Sequence, residues 1–160
     1  MKKEFDYKIV PFQNTYRDDM IFCLLLAKDA LGRVPRINED LFDIRENYFD
    51  KGEMFWLAID HNDRVIGMLG TQTTSTTQMW LKRLYVKPTL KRNGLGSALL
   101  ATLEAYAKSK NISTLYTSCA LDYTSGMKFY PAKGFTTIEY KDLTGIEYRE
   151  GVQSFVKTLL

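Results

Sequence analysis

Between residues 79 and 106 the hydrophobic pattern of the chain changes its period. Residues 79–86 are a mostly apolar run that Pro88 closes. Then comes Lys91-Arg92-Asn93-Gly94-Leu95-Gly96-Ser97, and from there Leu95, Ala98, Leu99, Thr102, Leu103 and Tyr106 recur on one helix face. The pattern commits this part of the chain to a strand, a basic glycine-rich turn and a helix. That succession binds pyrophosphate: glycines let the backbone come close, N–H groups face the ligand, and the helix N-terminus adds positive potential.

Two common phosphate ligands do not fit the residues. A nucleotide P-loop ends in Gly-Lys-Ser/Thr, whereas Gly96 is followed by Ser97 and Ala98. A dinucleotide fingerprint needs a third glycine three positions after the second, where Leu99 stands, and the acidic residue expected on a following strand is missing. What remains is a turn of the form basic-x-x-Gly-x-Gly. The strand before it ends in Leu84-Tyr85-Val86-Lys87-Pro88, and downstream lies Phe129-Tyr130-Pro131-Ala132-Lys133-Gly134-Phe135. Taken in this order, the three pieces resemble the acetyl-CoA site of the GNAT superfamily of N-acetyltransferases: a strand ending Leu-x-Val-x-Pro, the pyrophosphate turn, and an aromatic-Tyr-x-x-x-Gly-Phe segment. The detailed match covers residues 79–135, and the remainder agrees in element order.

Length and composition fit that reading. With 160 residues, one domain over 1–160 with a real core is expected. No apolar run is long enough to span a bilayer, and Met1-Lys2-Lys3 is followed by Glu4 and Asp6 rather than an apolar signal core. A cytoplasmic protein is therefore expected. Cys23 and Cys119 lie in apolar segments and read as buried thiols rather than a disulfide or metal pair; no metal site is expected. His61, in His-Asn-Asp-Arg, reads as a hairpin residue. Residues 1–80 carry ten Lys and Arg against thirteen Asp and Glu, and residues 81–160 carry twelve against six. The basic half suits an anionic ligand such as CoA, and the acidic half could draw a cationic amine. Nucleic-acid binding is disfavoured, because no long basic cluster is present.

Along the chain, residues 7–10 read as a first strand. Thr15-Tyr16-Arg17-Asp18 resembles a capping box, and Met20, Leu24, Ala27 and Leu31 then recur at helical spacing until Gly32. Asn38 is expected to cap a second helix with Glu39 and Asp40 in its first turn, Leu41, Ile44 and Tyr48 on its apolar face, and Gly52 at its end. Strands follow over 54–59, 65–73 and 79–86, then the helix from Leu95 with Asn111 as its cap, a strand over 112–119, a short helix over 125–133, and strands over 135–140 and 152–159. The resemblance implies an α/β fold: a mixed, strongly twisted sheet of about six or seven strands, about four helices on both faces, and a splayed parallel strand pair holding CoA.

The resemblance also implies roles. Backbone N–H groups of Asn93, Gly94, Leu95, Gly96 and Ser97 would bind the pyrophosphate, with charge from Lys91 and Arg92. The family prefers Arg or Gln at the Lys91 position, so a planar fork is lost there. The backbone of Leu84 and Val86 would pair with the pantetheine amides like an added strand, and the Val86 N–H would donate to the thioester carbonyl. Tyr130 would be the general acid toward the departing thiolate, although a structural tyrosine packed beside Phe129 and Phe135 is the plainer reading of a lone Tyr there. Many relatives carry Glu at the position of Trp80, and no carboxylate lies between Gln78 and Leu90. A base would come from elsewhere, with Glu39, Asp40 and Asp43 as candidates, or act through water. Trp56 and Trp80 read as core. The expected activity is acetyl transfer from acetyl-CoA to a primary amine, small molecule or peptide, by a monomer or homodimer. The acceptor is expected on the side built by the first two helices and residues 142–151. A non-catalytic acyl-CoA-binding module remains the alternative.

Overall fold

The computed structural model describes residues 6–143 and 149–159. The elements are β1 (Tyr7–Pro11), α1 (Arg17–Ala30), α2 (Ile44–Asn47), β2 (Phe55–Asp60), β3 (Val65–Thr73), β4 (Gln78–Val86), α3 (Leu95–Ser109), β5 (Thr114–Ala120), α4 (Thr124–Ala132), β6 (Thr136–Ile138) and β7 (Val152–Thr158). The seven strands hydrogen-bond in the order β1-β2-β3-β4-β5-β7-β6. The sheet is mixed: β1–β2, β2–β3, β5–β7 and β6–β7 are antiparallel, and β4–β5 is parallel. This is the α/β architecture the sequence implied. The chain forms two compact units, Met1–Gln72 with Lys82–Tyr106, and Thr73–Leu81 with Ala107–Leu160.

The core of the first unit follows from two periodicities. On α1, Met20, Cys23, Leu24 and Ala27 fall at helical spacing and are all buried. In β2 and β3 the runs from Phe55 to Ile59 and from Val65 to Thr71 are buried without alternation, as in strands covered on both faces. Phe12, Met20, Leu24, Leu41, Ile44, Tyr48, Phe55, Leu57 and Met68 close one cluster, each large side chain contributing about 1.5–3 kcal/mol by leaving water. The β2–β3 turn is held by Asp60, whose Oδ1 accepts from the Asn62 and Arg64 N–H groups at 2.9 and 3.0 Å. Asp63 takes the left-handed conformation at φ +62°, and His61 is an exposed turn residue, as expected. Asp19 of α1 clamps this hairpin: it accepts from Arg64 Nε and Nη2 at 3.0 and 2.9 Å and from the Val65 N–H at 2.8 Å.

Two local expectations fail for identifiable reasons. The capping box at Thr15 does not form. A 3₁₀ turn, Asn14–Tyr16, leads into α1, and its N-cap, Tyr16, makes no side-chain capping bond. The single helix expected after Asn38 is three separate turns: a 3₁₀ turn Glu39–Phe42, then α2, then a 3₁₀ turn Phe49–Lys51. Asp43 interrupts it. Its backbone is extended, at φ −142° and ψ 92°, and its carboxylate accepts from the Glu46 N–H at 2.9 Å, so it caps α2 rather than lying inside a helix. Gly32 and Gly52 end their segments at φ +73° and +79°, as their positions predicted.

In the second unit, β4 pairs with β5 through Gln78↔Thr114, Met79↔Leu115 and Trp80↔Tyr116. From Thr114↔Thr158 to Ala120↔Val152, β5 then pairs with β7. Met79, Leu81, Ile112, Leu115, Tyr130, Phe135 and Phe155 are buried here. Trp80 stacks on Tyr116, its neighbour across the ladder, with ring centroids 5.4 Å apart, and Gln78 Nε2 donates to the Tyr116 hydroxyl at 3.3 Å. In α4, a Cβ on Gly126 would lie 2.7 Å from the Tyr123 ring and 3.2 Å from Cys119 Sγ, so only glycine permits that approach. Neither cysteine is in a disulfide; Cys23 is buried, and burial pushes its thiol up to about 12.

Candidate acetyl-CoA site

In the first unit, β4, a turn and α3 place most of the expected cofactor residues on one continuous stretch. Leu84 and Val86 lie at the end of β4, and the Lys87 N–H donates to the Ile66 carbonyl at 2.8 Å, holding the strand end against β3. A 3₁₀ turn, Pro88–Leu90, follows, with proline in its first turn. Lys91 is extended, while Arg92 and Gly94 take left-handed angles at φ +69° and +79°. Alternation of this kind turns successive N–H groups toward one side of the chain. Asn93 Nδ2 donates to the Leu90 carbonyl at 3.1 Å and ties the turn to its own start. Leu95, 1 % exposed, anchors the helix. The first helical bond at this end runs from the Ala98 N–H to the Gly94 carbonyl at 3.0 Å, so the N–H groups of Leu95, Gly96 and Ser97 have no carbonyl of their own helix to meet.

The turn also has room. A Cβ on Gly94 would meet nothing within 4 Å, and Arg92, Asn93 and Gly94 are exposed. Helix-start N–H groups, an adjoining pair of basic side chains and open space suit a diphosphate, the part of CoA that the resemblance implied here. The helix itself is drawn close to the sheet at Gly67 of β3, opposite Leu99.

Just before Leu84, β4 contains a feature the sequence did not disclose. Arg83 sits in the left-handed region at φ +60° inside the strand, a conformation that costs about 1–3 kcal/mol in a residue with a side chain. Its guanidinium grips Asp40 side-on, Nη2 to Oδ1 at 2.8 Å and Nε to Oδ2 at 3.1 Å. The Tyr48 hydroxyl donates to the same Oδ2 at 2.5 Å. Burial works against the charge of Asp40, but the hydrogen bonds from Arg83 and Tyr48 outweigh it and hold the carboxyl below its usual range. Burial, then Asp40, drives the Tyr48 phenol upward. Asp40 is thus a committed carboxylate, poorly suited to take a proton. Asp43 is engaged as the α2 cap and Glu39 is exposed on its 3₁₀ turn. Trp80 is buried on Tyr116, and Trp56 packs edge-on to Tyr106 at 5.4 Å. Both tryptophans are core.

In the second unit, Tyr130 lies in α4, 7 % exposed, with Phe129, Phe135 and Phe155 around it at ring-centroid distances of 5.2, 5.5 and 5.5 Å. Pro131 does not stop the helix, which runs through it to Ala132. Gly134 follows at φ +91° and the Phe135 N–H returns to the Tyr130 carbonyl at 3.0 Å. The Gly-Phe pair of the sequence pattern therefore closes the helix carrying Tyr130. Of the late segment expected near the acceptor, residues 144–148 lie outside the described residues. Among the described residues, no group of three or more His, Cys, Asp or Glu is placed to hold a metal, and no helix is long and apolar enough to cross a membrane.

Comparison with known proteins gives the family and the fold. The chain is similar to a human protein, N-acetyltransferase 8, with 28% identity over 102 residues, 60% of this chain; it spans 44% of that relative's length. Among solved structures, an acetyltransferase of the GNAT family from Staphylococcus aureus Mu50 superposes with a TM-score of 0.87 at 24% identity, covering 97% of this chain and all of that one. PaiA N-acetyltransferase from Thermoplasma acidophilum, solved in complex with coenzyme A, superposes with a TM-score of 0.74 at 18% identity, covering 96% of this chain and 99% of that one. At those identities the structural likeness establishes the fold. The sequence model of the Acetyltransferase (GNAT) family matches residues 17–135, from the start of α1 to the phenylalanine that closes the Tyr130 helix. The chain belongs to the GNAT family of acetyltransferases.

Proposed function

We propose that residues 1–160 are a single N-acetyltransferase domain that moves the acetyl group of acetyl-CoA to a primary amine by direct attack in a ternary complex. The observation that carries this reading is the 91–97 turn: two left-handed residues, paired basic side chains and the start of α3 around open space at Gly94. Lys91, Arg92 and the N–H groups from Asn93 to Ser97 hold the diphosphate. The backbone of Leu84 and Val86 aligns the pantetheine arm, and the Val86 N–H receives the negative charge that develops on the thioester oxygen. The amine nitrogen bonds to the carbonyl carbon, the carbon–sulfur bond breaks, and the Tyr130 hydroxyl gives its proton to the leaving sulfur. The acceptor loses its ammonium proton to water before attack, because Asp40 is held by Arg83 and no carboxylate lies between Gln78 and Leu90; the second proton, shed by nitrogen as the amide forms, returns through water to the Tyr130 oxygen. Alignment of the reactants supplies up to roughly 7–11 kcal/mol in ideal cases. This reading puts the domain in the cytoplasm, where thiols such as those of Cys23 and Cys119 stay reduced.

The missing strand carboxylate favours a second reading, in which the domain binds acyl-CoA without turning it over. A thiol-release assay with acetyl-CoA and a panel of amines separates the two. Amine-dependent release of CoA is expected. Calorimetric binding of CoA without release for any amine selects the sensor, and absence of CoA binding removes both.

A further inference from the structure

The transfer just described does not use the cations around Arg83. Lys28, in the last turn of α1, donates to the Arg36 carbonyl. That bond folds the exposed 32–36 stretch back over the end of α1 and brings Arg33 with it. Burial of Lys28, then the charges of Arg83 and Arg33, lower its pKa, against the pull of Asp40. The two arginines outweigh the carboxylate there. Asp29 and Glu39, the other acids of this segment, are exposed. Asp40 occupies Nε and Nη2 of Arg83 and leaves the Nη1 side of the fork unused by that pair. Close by in the chain, the Asn38 side-chain oxygen is buried and has no hydrogen-bond partner among the described residues. An arginine fork whose carboxylate partner, Asp40, is two residues from an acceptor that lacks a donor suits a ligand bringing both a carboxylate and N–H groups.

The position along β4 says which ligand that is. At a strand rise of about 3.3 Å per residue, the Arg83 backbone lies about 10 Å from that of Val86, within the reach of a small molecule and an arginine side chain. The pyrophosphate turn at 91–97 lies beyond Val86 in the opposite direction along the chain. Along the chain, Arg83 thus precedes Val86 and the 91–97 turn follows it, so the two lie on opposite sequence sides of the proposed thioester contact.

We propose that Arg83, helped by Lys28 and Arg33 and oriented by Asp40 and Tyr48, holds the carboxylate of the acceptor, so that the acceptor is an amine carrying a carboxylate a few bonds away, as an amino acid does. This rests on the acetyl-transfer reading and narrows its acceptor. It reverses the expectation drawn from the acidic first half of the sequence. The net charge of residues 1–80 would attract a polyamine, whereas the groups gathered next to Arg83 would repel one.

The test compares a panel of amino acids with their carboxamides and with the amines that lack the carboxyl carbon, by kcat/KM in the thiol-release assay, with CoA affinity measured separately by calorimetry. The wild type is expected to favour the acids by about tenfold or more, as paired charge recognition does. Arg83→Lys, which keeps the charge and loses the fork, should remove most of that preference through KM of the acceptor. Lys28→Gln and Arg33→Gln, each outside the core, should each lower it about threefold, with CoA affinity unchanged in all three. Normal CoA binding with equal or better use of carboxamides or polyamines overturns the subsite and leaves acetyl transfer standing. So does a preference for acids that all three variants retain. Absence of CoA binding in the wild type overturns the acetyl-transfer reading and the subsite with it.

Discussion

Gly67 lies directly against Leu99: a Cβ on residue 67 would stand 3.0 Å from Leu99 Cδ1 and 3.3 Å from the Tyr85 carbonyl oxygen. The helix that begins at the pyrophosphate turn thus packs onto β3 through a missing side chain. Gly67→Ala should cost less than Gly67→Val, since the end of the Leu99 side chain can move and the Tyr85 carbonyl need shift only a few tenths of an ångström. Gly67→Val should push α3 outward, cost about 1–3 kcal/mol in overpacking and raise the KM for acetyl-CoA. Leu99→Ala in the same chain should recover part of that loss. Chemical denaturation of the two single variants and the double variant checks this, and simple additivity would show that the two residues do not share the contact.

The turn itself can be tested apart from the fold. Because nothing lies within 4 Å of a Cβ on Gly94, Gly94→Ala should cost only about 1 kcal/mol for its left-handed backbone. Gly94→Glu should fold nearly as well as Gly94→Ala and yet bind no CoA, because its carboxylate projects where a diphosphate must sit. Calorimetry beside a thermal melt reads both quantities; CoA binding by Gly94→Glu at the wild-type level would remove the turn from the cofactor site.

Tyr130→Phe keeps the ring that packs among Phe129, Phe135 and Phe155. Turnover should fall by roughly 10²–10⁴-fold, with acetyl-CoA affinity nearly unchanged, because the phenol acts on the leaving sulfur and not on the bound ground state. Equal turnover in both proteins, with chemistry rate-limiting, would leave Tyr130 a packing residue.

The Asp19 clamp predicts acid sensitivity. The hydrogen bonds from Arg64 come first among the causes that hold its carboxyl below the ordinary value of 3.8, with burial opposing and the Val65 N–H assisting. A carboxyl whose folded-state pKa is depressed stabilises the fold above its unfolded pKa and loses that contribution as pH falls through the folded one. Asp19→Asn should therefore lower stability by about 1–2 kcal/mol at neutral pH, allowing for the half-exposed Arg64, and the gap to wild type should close as the pH drops below about 4. Urea titrations at pH 7 and pH 3 measure both; an equal gap at the two values would assign the effect to packing.

Most of the strand and helix order was legible because local signals agreed with one another. The helical spacing from Leu95, the run from Val65 and the glycines at 32 and 52 each match the observed element or cap. The segment from Asn38 to Gly52 misled because Asp43 can serve equally as a first-turn acid or as a cap, and only the extended backbone it adopts decides between them. Arg83 was invisible for another reason. No sequence pattern marks an arginine for a left-handed backbone, and its partner Asp40 is distant in the chain, so the pair exists only once β4 and the 39–42 turn are folded. The 91–97 turn could be read directly because its glycines and the start of its helix lie in consecutive residues.

The break at Asp43 has an effect on how this chain can change. In a continuous helix, an insertion or an altered face re-registers every residue after it. Here the backbone breaks at Asp43 and again at Tyr48, and side chains tie the pieces together: Asn47 Nδ2 donates to the Asp40 carbonyl at 3.2 Å and the Tyr48 hydroxyl to the Asp40 carboxylate. A substitution in one turn re-registers no continuous helix, provided Asp40, Asn47 and Tyr48 keep these bonds. On the acceptor site proposed above, exposed side chains of these turns can vary while β4 and the 91–97 turn stay as they are.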